Sequence, residues 1–318
     1  MARLKDPQEI IDLVRQGDRG ALARALSLVE QGGQPARDIG RLAYPFGGHT
    51  YTVGLTGAPG AGKSTLTSAL IADIRSRGET VSVLAIDPSS PFTGGAILGD
   101  RVRMQDHALD DGVFIRSMAT RGHLGGLALA TPQAIRVLDA AGAPWVLLET
   151  VGVGQVEVEV AGAADTTVVV VNPGWGDAVQ ANKAGLMEIA DVFVINKADR
   201  AGVNDTRRDL ETMLEMTDLG ADDWRPPIVP TVAARSEGIG DLWAAVGAHR
   251  EHLESTGGLV QRRSDRLLDE LRTIVARSLE RRAYELTSSD EVARLHERVV
   301  ARELDPYAAA DEIIGDLT

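Results

Sequence analysis

Apolar positions along this chain change their period twice. Up to about residue 46 they recur at helical spacing. From about 47 to 258 short β-branched runs alternate with helical stretches, and after about 259 the spacing is helical again. Within the first stretch, Asp6-Pro7-Gln8-Glu9 is a helix start, with a capping Asp, Pro at the first helical position and Glu three residues after the cap. Ile10, Ile11, Leu13 and Val14 then supply one apolar face. Gly17-Asp18 restarts a second helix with Ala21, Leu22, Ala25, Leu26 and Val29 inward, and Gly32-Gly33 ends it.

The middle stretch predicts buried strands at Tyr51 to Thr56, Val81 to Ile86, Val113 to Arg116, Trp145 to Leu148, Thr166 to Val171, Val192 to Ile195 and Ile228 to Pro230, with a helix over about 131 to 141. Near-continuous apolar runs of this kind suit a parallel sheet covered on both faces. Alternation with helices makes the fold class α/β, a doubly wound, mostly parallel sheet whose ligands bind at the carboxyl ends of the strands. The predicted organisation is a helical segment over 1–46, the sheet domain over 47–258 and a helical arm over 259–318. In the arm, Leu267, Leu268, Leu271, Ile274, Val275 and Leu279 lie at helical spacing. Arg262, Arg263, Arg266, Arg272, Arg281 and Arg282 surround them and read as a solvated face. Ser288-Ser289-Asp290-Glu291 and Asp305-Pro306 start further helices. An arm with so little core of its own is expected to pack on its own domain or on a second copy.

Composition narrows the partners. A formal net charge of -13 argues against nucleic acid or an anionic membrane surface as the main partner. With no cysteine in 318 residues, disulfides and thiolate metal sites are excluded, which fits a cytoplasmic location. No signal pattern opens the chain and no stretch is long and apolar enough to span a bilayer.

Chemistry concentrates after the first strand. Gly57-Ala58-Pro59-Gly60-Ala61-Gly62-Lys63-Ser64-Thr65 matches the phosphate-binding loop G-x-x-x-x-G-K-[ST] in full. The glycines let backbone N–H groups approach a polyphosphate. Lys63 reaches the β- and γ-phosphates, the Ser64 hydroxyl is the expected ligand of a phosphate-bound Mg²⁺, and the following helix turns its positive end to the site. Asn196-Lys197-Ala198-Asp199, after a buried strand, is the guanine-recognition pattern N-K-x-D. The Asp199 carboxylate would accept both N–H groups of the guanine edge, a pair that adenine does not offer. Asn196 braces that loop, the Lys197 stem covers the base, and Thr231-Val232-Ala233 suits the accompanying backbone contact.

Glu149-Thr150-Val151-Gly152 stands where a GTPase carries D-x-x-G, with the acid acting through water on Mg²⁺ and the Gly152 N–H sensing the γ-phosphate. Val153 occupies the place of the usual water-orienting glutamine; Gln155 is nearby and is kept with Lys63, Asp87 and Glu149 in the candidate catalytic set. Asp87 and Asp100 lie in the long polar loop after the second strand, either as carboxylates for the metal shell or for positioning water, or as caps of that loop.

Taken in order, Gly57 to Thr65, Asp87 to Gly95, Arg116 to Gly122, Glu149 to Gln155 and Asn196 to Asp199 resemble the methylmalonyl-CoA mutase-associated GTPase family, over almost the whole chain. The resemblance implies a P-loop GTPase that gates adenosylcobalamin loading of methylmalonyl-CoA mutase and protects that enzyme from inactivation. It also implies a homodimer formed through the helical arm, with Ser64 and Asp100 as Mg²⁺ ligands and Asp87 and Glu149 close by. Val232 departs from the pattern, where a Ser commonly precedes the Ala.

Two other readings use the same loop. Relatives carry the label of arginine/ornithine-transport kinases, although Asn196 to Asp199 argues against ATP and no acceptor motif is evident. A nickel-insertion GTPase would need Cys or clustered His. His249 and His252, one helical turn apart, read instead as a solvated helix face. Finally, Asn172 to Lys183 reads either as an ordinary strand-to-helix connection or, by the resemblance, as a third switch acting through Gln180 and Lys183.

Overall fold

The computed structural model describes residues 6–87, 107, 109–119, 126–150, 161–174, 188–216, 220, 223–287 and 290–315. Within these lie β1 (Tyr51–Gly57), β2 (Val81–Asp87), β3 (Val113–Ala119), β4 (Trp145–Thr150), β5 (Thr166–Val171), β6 (Val192–Asn196) and β7 (Ile228–Thr231). They form one sheet in the order β3-β2-β4-β1-β5-β6-β7. Every neighbouring pair is parallel, so all carboxyl ends share one edge.

Both faces are covered, as the unbroken apolar runs require. Val53, Leu55, Leu147, Val168 and Val170 pack with Leu66, Leu70 and Ile74 of α4 (Lys63–Ser76) and with Leu242, Trp243 and Val246 of α7 (Ile239–Thr256). On the other face, Leu84, Ile86, Val146 and Leu148 join the leader and α5 (Gly126–Ala140), while Val169, Val171, Phe193 and Ile195 join Leu210 and Leu214 of α6 (Val203–Glu215). The alternation Trp145/Leu147 against Val146/Leu148 along one strand divides the two cores.

The leader is three helices, α1 (Pro7–Arg15), α2 (Arg19–Gln31) and α3 (Gly33–Ala43). Asp6 caps α1 by accepting from the Gln8 N–H, and Asp18 caps α2 by accepting from the Ala21 N–H. The sequence marked Gly32-Gly33 as a stop, yet α3 begins at once because Gly32 at φ +73° redirects the chain and Ala36, Ile39 and Ala43 find the core. α5 likewise starts earlier than expected, at Gly126, and runs through Pro132. Arg19 of α2 donates to the carbonyls of Asp111 and Val113, and Arg116 pairs with Glu30 at 2.7 Å, so the leader covers the edge strand β3. Pro230 is tolerated because β7 is the opposite edge strand.

At the amino ends of the strands lies a polar network that the sequence reading missed. Asp165, immediately before β5, accepts from the Thr52 N–H at 3.0 Å, from Arg263 at 2.7 Å and from Arg266. Asp191, before β6, accepts from the Thr167 N–H at 2.7 Å and bidentately from Arg262 at 2.8 and 3.0 Å. These three arginines open α8 (Gly258–Thr287) and are paired and half-buried, not a solvated face. His249 is fully buried, with Nδ1 2.8 Å from the Thr166 hydroxyl and Nε2 3.3 Å from Asp191. It therefore also departs from the solvated-face reading. Burial, partly opposed by Asp191, pushes its pKa down to about 4.

The chain divides into two compact units, Met1–Arg266 and Leu267–Thr318. In the second, α9 (Asp290–Val300) and α10 (Pro306–Gly315) pack together, burying Leu295 and Ala309 and pairing Arg298 with Glu312 at 3.2 Å. Leu267, Leu268, Leu271, Ile274, Val275 and Leu279 of α8 are exposed. Among the described residues no helix is long and apolar enough to cross a membrane.

Candidate functional site

The phosphate-binding loop joins β1 to α4, in the middle of the sheet, beside the point where successive strands pass from one side of β1 to the other. Two of its glycines are dictated by contact. A Cβ on Gly57 (φ +132°) would lie 2.1 Å from the Val170 carbonyl oxygen of β5, and one on Gly62 (φ +94°) 2.5 Å from Nδ2 of Asn196. Gly62 is also the N-cap of α4 and offers no side chain to the first-turn N–H groups, which leaves them available to an anion. Lys63 is buried and folds back over the loop, its Nζ donating to the carbonyls of Gly57 (2.5 Å) and Ala58 (3.3 Å). Ser64 is buried beside it and Thr65 is exposed.

Asn196 ends β6 and ties three loops together. Its Nδ2 donates to the Ala61 carbonyl of the phosphate loop at 2.8 Å. Its Oδ1 accepts from the Thr231 hydroxyl and from the Ala233 N–H, both at 3.2 Å. At roughly 1 kcal/mol net for each buried bond, this brace fixes the phosphate loop relative to the base-side loops. Lys197, at φ +59°, reaches the same loop from outside, its Nζ donating to the Gly60 carbonyl at 2.6 Å. The Ala198 N–H donates to the Thr231 carbonyl at 3.0 Å. Val232 and Glu237 form an antiparallel bridge that closes the loop after β7, with Ala233 buried inside it. Asp199 lies at the rim, paired with Arg235 at 3.3 Å.

Glu149 sits in β4 in register with Leu55 of β1 and Ala85 of β2, and is 1% exposed. Thr150, next to it, donates to the Leu55 carbonyl at 3.5 Å. Asp87 closes β2 on the same edge of the sheet, opposite Ala119. The structure thus brings Gly57, Ala58, Pro59, Gly60, Ala61, Gly62, Lys63, Ser64, Thr65, Asp87, Glu149, Asn196, Lys197, Asp199, Thr231, Val232 and Ala233 to the carboxyl edge of one sheet. Asp100, Gly152, Val153 and Gln155 lie outside the described residues, as do Gln180 and Lys183.

Hydroxyl and carboxylate oxygens are the donors that Ser64 and Glu149 contribute, which is the hard-oxygen chemistry Mg²⁺ takes. Among the described residues no three His, Cys, Asp or Glu side chains converge on a common point. A hydroxyl and a carboxylate suit Mg²⁺, which commonly completes its shell with phosphate oxygens and water. Two features of the site carried no sequence signal that was used: the Arg235–Asp199 pair and the role of Ala61 as acceptor for Asn196.

Similar proteins match this chain over most of its length. A GTPase-named protein of Pyrococcus abyssi is 51% identical over 314 residues, covering 97% of this chain and 96% of that one. The Escherichia coli GTPase ArgK is 39% identical over 83% of this chain and 82% of its own. The mouse protein named methylmalonic aciduria type A homolog, mitochondrial, is 31% identical over 94% of this chain and 76% of its own. A crystal structure of a LAO/AO transport system kinase superposes with a TM-score of 0.73 at 29% identity, covering 100% of this chain and 99% of that one. The family described as Methylmalonyl Co-A mutase-associated GTPase MeaB matches residues 22–288, and the chain belongs to that family.

Proposed function

We propose that this protein is a Mg²⁺-dependent GTPase that gates adenosylcobalamin loading of methylmalonyl-CoA mutase and protects that enzyme from inactivation. The observation that carries the guanine reading is the Asn196 brace, which holds the N-K-x-D loop against the phosphate loop and so sets one distance between base and phosphates. Asp199 accepts the two N–H groups of the guanine edge, Lys197 covers the base, and the Ala233 segment lines its far side. Gly57 to Thr65 wrap the phosphates; Lys63 leaves its loop carbonyls for the β- and γ-phosphate oxygens. Mg²⁺ would supply positive charge to offset the negative charge that develops on the phosphates. Ser64 and Asp100 would hold it, with Asp87 and Glu149 close by, and the Gly152 N–H would report the γ-phosphate. Val153 in place of a water-orienting glutamine makes hydrolysis slow in isolation, with Gln155 as the candidate replacement.

A second copy joins through the arm. The exposed apolar row from Leu267 to Leu279 supports that reading, because a face of this extent on a single helix is an unfavourable solvent surface.

One set of measurements tests the whole. Calorimetry should give tight GDP binding and no measurable ADP binding. Phosphate release from GTP should be slow and should rise on adding methylmalonyl-CoA mutase with adenosylcobalamin. Equal affinity for ADP removes the guanine reading. GTP turnover untouched by the mutase removes the chaperone reading, and phosphate recovered on arginine or ornithine points to the kinase.

A further inference from the structure

Beyond the residues that a phosphate loop and an N-K-x-D motif supply, the structure places one cation directly on the base-recognising carboxylate. Arg235 Nη1 lies 3.3 Å from Asp199 Oδ2. The same guanidinium is held from behind by Glu237, with Nε to Oε1 at 2.7 Å and Nη2 to Oε2 at 3.2 Å. Its backbone is equally constrained. The Arg235 N–H donates to the Val232 carbonyl at 2.9 Å, and Ser236 takes a left-handed φ of +56°. The Val232–Glu237 bridge closes the turn, and a Cβ on Gly238 would meet the Pro230 carbonyl oxygen at 2.3 Å. Val232 itself has no polar side-chain atom to offer Asp199.

We infer that Arg235 is a positioning residue for guanine recognition: it acts through Asp199, holding that carboxylate in the plane where both oxygens meet the base. The inference rests on the guanine reading above. A carboxylate oxygen accepts more than one hydrogen bond, so Arg235 keeps its contact with Oδ2 while the base donates to both oxygens. The Glu237 hydrogen bond and charge, reinforced by Asp199, hold the guanidinium's pKa above its usual value. Arg235 in turn holds the Glu237 carboxyl below its own, so the Arg235–Glu237 pair stays charged across the working pH range. Guanine needs both oxygens in register, whereas hypoxanthine, which lacks the 2-amino group, needs one. A carboxylate free to rotate therefore loses more towards GDP than towards IDP.

The test compares GDP, IDP and ADP affinities of the full-length protein by calorimetry, for wild type, Arg235→Ala, Arg235→Lys and Asp199→Asn. Because the pair is exposed, the effect is modest: Arg235→Ala should weaken GDP about three- to fivefold and IDP less than twofold, narrowing the GDP/IDP ratio. Arg235→Lys should restore part of that ratio, and raising salt to about 1 M should bring wild type towards Arg235→Ala. An unchanged GDP/IDP ratio in Arg235→Ala, or tighter GDP binding, overturns the inference. Asp199→Asn separates the two levels of argument. Loss of GDP binding there with a neutral Arg235→Ala leaves guanine recognition standing and removes only the role of Arg235. Retention of GDP binding by Asp199→Asn removes both.

Discussion

Replacing Asp165 by Asn, at the edge of the sheet opposite the nucleotide site, should cost the protein a large part of its stability. Asp165 is 2% exposed in its side chain and is the common acceptor for Arg263, Arg266 and the Thr52 N–H. Burial pushes its carboxyl up, but the Arg263 hydrogen bond and the charges of both arginines more than reverse that, leaving the pKa below its ordinary value. Asn keeps the shape and one acceptor for Thr52 while leaving two guanidinium groups without their shared anion. Removing one partner of a buried pair costs about 3–5 kcal/mol. Here the arginine side chains are 26% and 25% exposed, so water recovers part of the loss and about 2–3 kcal/mol is expected. At about 2–4 °C per kcal/mol for a domain of this size, the melting temperature should fall by roughly 5–10 °C. Thermal unfolding followed by circular dichroism at pH 7, with and without GDP, is the assay. A lowered folded-state pKa stabilises above the unfolded value and is lost only as pH falls through the folded one. The deficit should therefore persist undiminished from pH 7 down to about 5. A shift below about 2 °C would refute the reasoning, as would a deficit that closes between pH 7 and 5.

His249 makes the complementary pH prediction. Its folded pKa of about 4 lies below the ordinary 6.5, so the unfolded chain takes up a proton that the folded one refuses. Stability should decline as pH falls from about 6.5 to 4, by roughly 3 kcal/mol in all, and His249→Gln should flatten that slope; an unaltered slope in the variant sinks the assignment. For assembly, Leu271→Asp combined with Val275→Asp should convert a dimer to a folded, GDP-binding monomer in light scattering, and a wild type already monomeric at micromolar concentration rules the arm interface out. Truncation near residue 259 would be a poor substitute, because it removes Arg262, Arg263 and Arg266 from their aspartates.

Local patterns reported local structure well. The β-branched runs from Tyr51 to Thr231 announced each strand of the sheet, and the phosphate loop and N-K-x-D motif announced what its carboxyl edge carries, because tight turns and buried strands restrict residue type at fixed spacing. Gly32-Gly33 ends α2 as its glycines suggested, but α3 went unread because Gly32, at positive φ, also turns the chain straight into it. Arg262, Arg263 and Arg266 misled for a different reason. A charged residue on an amphipathic helix looks the same whether it meets water or an aspartate 71 to 101 positions away, as these arginines meet Asp191 and Asp165. The Arg235–Asp199 pair was hidden likewise, since it joins two loops that follow different strands.

The interior position of β5 sets how this protein fails when it unfolds. Thr166–Val171 is six uncharged, entirely β-branched residues, all buried between β1 and β6. Set free, such a segment pairs readily with its own copies. In the folded state both its edges are hydrogen-bonded, and Asp165 places a charge at its amino end, where a gatekeeper residue opposes stacking. Neutralising Asp165 therefore removes a structural anion and a guard against self-association in one step. At protein concentrations above those of the melting comparison, that variant should therefore aggregate sooner on heating than the wild type.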